Sequence, residues 1–139
     1  MRRAAPASLV WLGVLVALAV GAALVGGGVM YLEVRRQAET RSEAGTRGSV
    51  AAGEIAIGRY GCGSCHVIAS VAGANGMVGP DLSAVSKRVT IAGRLSNDPD
   101  TMVRWLMHPQ RISPGSEMPE QGVSERDARD MAAFLYARN

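Results

Sequence analysis

The chain has 139 residues, of which 47% are hydrophobic and only 4% aromatic, and its 15 Lys/Arg and 12 Asp/Glu leave a net charge of +3. That length suits a single domain. The basic excess lies wholly in residues 1–47, with six Arg against three Glu, whereas residues 48–139 balance nine against nine; this excludes a nucleic-acid-binding surface and leaves no strong long-range field to steer a charged partner.

Residues 1–8 are a short basic N-terminus, followed from Leu9 to Leu32 by 24 residues without a charge. At about 1.5 Å per residue these make roughly 36 Å of helix, enough to cross a hydrocarbon layer of about 30 Å with some tilt. Residues 9–32 therefore read as a transmembrane anchor. A cleaved signal is the competing reading, because Ala17-Leu18-Ala19 has a small-x-small form. That tripeptide lies inside the apolar run, not at its end, so retention is expected. The small residues between Gly21 and Gly28 offer a close-packing face to a neighbouring membrane helix. Arginines flank both ends of the span and give no clear orientation.

Residues 33–48 are polar and of mixed charge, with no apolar period, and read as a linker that begins as a continuation of the membrane helix and ends, from Gly45 on, as a flexible connector. A helix is expected from Val50 to Tyr60, then a Gly-rich loop over residues 67–90 with at most a short helix between Leu82 and Lys87. Asp98-Pro99-Asp100 is a strong helix start, with a cap, a proline at the first helical position and an acid facing the macrodipole. That helix carries Met102, Val103, Trp105 and Leu106 and is stopped by Pro109. Residues 110–122 read as irregular. The last helix opens at Ser124, with Ala128, Met131, Ala132 and Leu135 at i, i+3, i+4 and i+7. No segment has strand periodicity, so the fold expected for residues 49–139 is all-α, with three main helices.

The chemistry is concentrated in Cys62-Gly63-Ser64-Cys65-His66, which uses both cysteines and one of the two histidines. The pattern C-x-x-C-H is an attachment site for c-type haem. On one helical turn the two thiols and the imidazole share a face, so Cys62 and Cys65 would bind the porphyrin covalently while His66 ligates its iron. A structural zinc site needs about four ligands, and His108 is the sole further histidine here. A redox dithiol would follow a strand, and a local disulfide is the remaining alternative. One haem c also answers a folding problem, since a domain of about 90 residues with few aromatics has little core of its own. Covalent c-type haem attachment in bacteria takes place outside the cytoplasmic membrane, which sets the expected orientation: N-terminus inside, haem domain in the periplasm.

With these elements in order, the chain resembles a membrane-anchored class I cytochrome c over roughly residues 50–138. The resemblance rests on Cys62-Gly-Ser-Cys-His66, Gly79-Pro80-Asp81-Leu82, Trp105-Leu106-Met107-His108-Pro109, Met118-Pro119 and Phe134-Leu135-Tyr136. It implies a cytochrome c-like fold with haem-wrapping loops, His66 as proximal iron ligand, the Pro80 carbonyl as acceptor for its second ring nitrogen, and Met118 as distal ligand. A thioether opposite imidazole favours the reduced iron. His108 and Met77 are rivals for the distal position. Met102, Met107 and Met131 lie in helices and are read as core fillers. Trp105 is either core packing or a donor near a haem propionate, and Lys87, Arg88 and Arg94 are candidates to neutralise one.

The function implied is one-electron transfer, not catalysis, because both axial positions are filled by protein and no acid/base pair, triad or phosphate loop is evident. The expected partners share its membrane: a quinol-oxidising or dehydrogenase complex as donor and a terminal oxidase as acceptor. The alternatives are a haem-bearing subunit of a larger oxidase or dehydrogenase complex, and a haem-based gas sensor should Met118 dissociate.

Overall fold

A computed structural model describes residues 7–138, so that Arg2 and Arg3, part of the expected cytoplasmic N-terminus, lie outside the described residues. The chain divides into two compact units, one up to Arg36 and one from Gln37 onward. The elements in order are α1 (Ala7–Thr46), α2 (Val50–Arg59), a 3-10 turn at Cys62–Ser64, a second at Val85–Lys87, β1 (Thr90–Ile91), β2 (Leu95–Ser96), α3 (Pro99–Met107), α4 (Pro109–Ile112) and α5 (Glu125–Ala137).

In the first unit, α1 exposes its apolar side chains all round, among them Trp11, Leu24 and Val25. Among the described residues α1 is the one helix long and apolar enough to cross a membrane. Helix that is hydrophobic on every face satisfies its backbone internally and needs lipid, not a core, to cover it.

The second unit includes the last ten residues of α1, so the helix continues beyond the apolar span as its sequence suggests, whereas its docking within this unit has no sequence signature. Residues 37–46 are helix, with Ser42 and Thr46 buried. Ser42 Oγ donates to the Ala133 carbonyl, Arg129 donates to the Thr46 carbonyl at 3.2 Å, and Arg138 pairs with Glu39 at 2.9 Å. The contact is made by small polar side chains and ion pairs, which leave no apolar period to read. Gly45 does not begin a flexible connector.

Helix α2 starts at the Ser49 cap and buries Val50, Gly53, Ala56 and Ile57. It packs on α5, which buries Ala128, Met131, Ala132, Phe134 and Leu135. The helices approach most closely at Gly53, where a Cβ would overlap the Asp130 carbonyl and lie 2.8 Å from the Phe134 Cβ. Helix α3 is capped as its sequence indicates, Asp98 accepting from the Thr101 N–H at 2.9 Å with Pro99 at the first turn. It too packs on α5 and buries Met102, Val103, Trp105 and Leu106.

Two elements go beyond the sequence reading. Pro109, expected only to stop a helix, opens the single turn of α4 after a kink at His108. The strands β1 and β2 form an antiparallel hairpin pairing Thr90 with Ser96 and Ile91 with Leu95. Two residues per strand are too few to display alternation.

Two stability predictions follow from the packing and caps. Gly53→Ala places a methyl against backbone at the α2/α5 crossing and is expected to destabilise the fold by about 1–3 kcal/mol in urea unfolding; Asp98→Ala should cost about 1 kcal/mol. The Asp98 carboxylate is held below its ordinary value of 3.8, first by the Thr101 backbone N–H and then by the Thr101 hydroxyl. Hydrogen bonds from Tyr60 and Ser124 do the same to Asp127. A depressed folded-state value means stability that is present above pH 3.8 and lost as pH falls through the lower folded value. The urea midpoint should therefore drop on acidification through that window, and by less in Asp98→Ala.

Candidate cofactor site

The site begins where α2 stops. Beyond the Tyr60 cap the chain closes a 3-10 turn, with the Cys65 and His66 N–H groups donating to the Cys62 carbonyl at 3.2 and 3.0 Å. The loop after it folds back onto this turn. Gly76 N–H donates to the Gly63 carbonyl at 3.1 Å, Gly79 N–H to the Cys65 carbonyl at 2.8 Å, and Leu82 N–H to the Val67 carbonyl at 2.8 Å. Gly79 lies so close to the His66 ring that a Cβ would overlap its Cε1 atom. The next residue supplies the ring's partner: His66 Nδ1 is 2.7 Å from the Pro80 carbonyl. A carbonyl only accepts, so Nδ1 carries the hydrogen, and in the neutral ring that leaves the lone pair on Nε2.

A largely apolar cavity of about 350 Å³ opens beside this turn. Its wall includes all six residues singled out in the sequence: Cys62, Cys65, His66, Pro80, Trp105 and Met118. They arrive from the turn after α2, the loop folded onto it, α3, and the irregular segment before α5. Ile57, Leu82, Val85, Ile91, Leu106 and Leu135 supply apolar surface between them. Met102 and Met131, expected as core fillers, are buried and line the cavity as well.

The two rivals for the distal position lie elsewhere. Met77 is 91% exposed and His108 sits 3.9 Å from Glu120; neither lines the cavity. Of the three cations considered for a propionate, Arg88 is at the cavity wall, and Lys87 and Arg94 are not among its lining residues. The turn bearing Arg88 is fixed by Asn97, whose Nδ2 donates to the Val85 and Arg88 carbonyls at 2.7 Å each. Tyr136 OH donates to Asn97 Oδ1 at 2.7 Å, and burial pushes the Tyr136 hydroxyl well above the usual phenol range. Sequence patterning gave no sign of this Asn97 and Tyr136 brace, which joins residues far apart along the chain.

Cys62 and Cys65 are not joined in a disulfide, and burial pushes the Cys62 thiol above its ordinary value. Among the described residues no group of three or more His, Cys, Asp or Glu converges to hold a bare metal ion. The pair of thiols and the imidazole instead stand along the wall of a space sized for a small organic cofactor, the range for which is about 300–1,000 Å³.

No family model and no solved structure matches the chain. Among curated proteins, cytochrome c oxidase subunit 2 of Alkalihalophilus pseudofirmus is 32% identical over 75 residues, covering 53% of this chain and 21% of that protein. The chain thus spans about a fifth of the length of this relative. The aligned stretch is longer than α1 and everything before it, so it reaches into the second unit.

The tautomer of His66 is directly measurable. Nitrogen-15 NMR of the full chain is expected to show the proton on Nδ1, and a proton on Nε2 with Nδ1 bare would contradict the Pro80 contact.

Proposed function

We propose that the chain is a membrane-tethered monohaem c-type cytochrome that carries single electrons in a respiratory chain. In this reading residues 37–138 form a cytochrome c-like domain holding one haem c. Cys62 and Cys65 would bind it through thioethers, and His66 and Met118 would ligate its iron. The observation that carries the proposal is the meeting of these four side chains on one apolar cavity, although Met118 is 52 residues beyond His66 in sequence.

The residues fit such a group. The wall is largely apolar, as a porphyrin requires, the polar side chains Arg88, Ser116 and Gln121 are available for propionates, and the imidazole, with Nδ1 on Pro80, leaves Nε2 for the metal. Haem, when bound, supplies exchange of one electron between ferrous and ferric iron. The chain's part is to hold and shield. His66 is fixed in orientation by Pro80 and Gly79, the buried Trp105 and Leu106 add apolar wall, and Met118 would offer a soft sulfur, which favours reduced iron.

Helix α1 supports membrane attachment. With haem attached outside the bacterial cytoplasmic membrane, the second unit works in the periplasm and its partners are redox complexes of the same membrane. Confinement to that membrane raises the encounter rate that a balanced surface charge does not. The likeness to a cytochrome c oxidase subunit favours a terminal oxidase as partner, and also favours a second reading in which the chain is itself a haem-bearing subunit of such a complex. Purification in mild detergent separates the two: a stable complex at fixed stoichiometry identifies a subunit, a monodisperse monohaem protein identifies a mobile carrier.

An optical redox titration tests the assignment of ligands. The oxidised protein should show the weak absorption band of methionine bound to ferric haem iron. Met118→Ala should abolish that band and lower the midpoint potential. Unchanged spectra and potential in this variant would move the ligand role to Met102 or Met131, the other thioethers on the wall.

A further inference from the structure

The segment between α4 and α5 has no regular structure, yet it must hold Met118 at a fixed place on the cavity wall. The Ser116 N–H donates to the Ser113 carbonyl at 3.0 Å and the Met118 N–H to Ser116 Oγ at 3.2 Å, but the side chain that gathers most of its backbone groups is Gln110. The amide of Gln110 donates through Nε2 to the Ser116 carbonyl at 2.6 Å and to the Met118 carbonyl at 2.7 Å, and through Oε1 accepts the Gly115 N–H at 3.2 Å. Two carbonyls require the amino end and one N–H requires the oxygen end, so the orientation of the amide is fixed by its partners. The Gln110 backbone N–H also donates to Glu120 Oε1 at 3.1 Å, which ties the far end of the same loop. Gln110 stands on a firm base, directly after the buried Pro109 at the start of α4.

We infer that Gln110 is the positioning residue of the distal ligand, a clamp that keeps the Met118 backbone against the cavity so that its sulfur stays on the haem iron and small external ligands stay off. The inference rests on the reading of Met118 as axial ligand and adds what keeps it there. Three backbone groups of the loop are satisfied by one planar amide, which no apolar or shorter side chain reproduces. Losing the clamp returns these groups to water and frees the loop, so Met118 leaves the iron more often. Electron transfer also profits from the clamp, because a ligand that does not move between oxidation states adds little reorganisation.

Imidazole binding to the oxidised full-length holoprotein reads this directly, since the incoming base must wait for Met118 to leave. Gln110→Ala, and Gln110→Leu with side-chain volume kept, should each speed imidazole binding by about tenfold to a hundredfold, the equivalent of one or two lost hydrogen bonds. Hydrogen exchange over residues 113–120 should rise in both. Asp98→Ala, which weakens the fold at the remote cap of α3, serves as the control for general destabilisation and should keep the wild-type imidazole rate. Wild-type rates in both Gln110 variants, or equal acceleration in Asp98→Ala, would overturn the clamp while leaving the haem reading intact. A wild-type protein without haem would overturn both together.

Discussion

An apolar cavity inside so small a unit is the constraint on which the rest of the structure turns. Helices α2, α3 and α5 line this space with Ile57, Leu106 and Leu135, so the small core of the unit is built around it. A covalently held haem, as proposed, would complete that core, so that cofactor retention and folding are one problem.

The surrounding contacts serve the geometry of that space. The glycine contact of α2 with α5 at Gly53 brings α2 in close, so that its C-terminal end delivers Cys62, Cys65 and His66 to the wall. The loop from Val67 to Pro80 is then sewn to this turn by backbone hydrogen bonds, with Gly79 and Pro80 fixing the imidazole plane. The loop bearing Met118 has fewer backbone bonds, the Ser116 N–H to Ser113 carbonyl among them, and leans on the Gln110 side chain. The two halves of the site are thus built differently, one by main chain and glycine contact, the other by a side-chain amide.

The features legible in the sequence were those with local signatures. The caps at Asp98 and Ser124, the apolar stripe of α5, the uncharged run in α1 and the pentapeptide after α2 each depend on residues within one or two turns of each other. Cys62, Cys65 and His66 are marked by the C-x-x-C-H pentapeptide, Pro80 and Met118 by the family resemblance and Trp105 by both its helix and that resemblance; the six line one cavity. What escaped was tertiary. The polar residues from Gln37 to Thr46 carry no hydrophobic pattern, because they dock through Ser42, Glu39 and the carbonyl of Thr46. The β1/β2 hairpin is too short to show a period, and Gln110 and Asn97 owe their roles to backbone groups that no side-chain pattern encodes.

The most direct measurement of the central claim is mass spectrometry of the tryptic fragment from Tyr60 to Lys87, which contains both cysteines, after production of the full chain in a host able to attach haem c. The account predicts one fragment heavier by a single haem, with neither thiol open to alkylation. A fragment of unmodified mass, with Cys62 and Cys65 both alkylated, would contradict it.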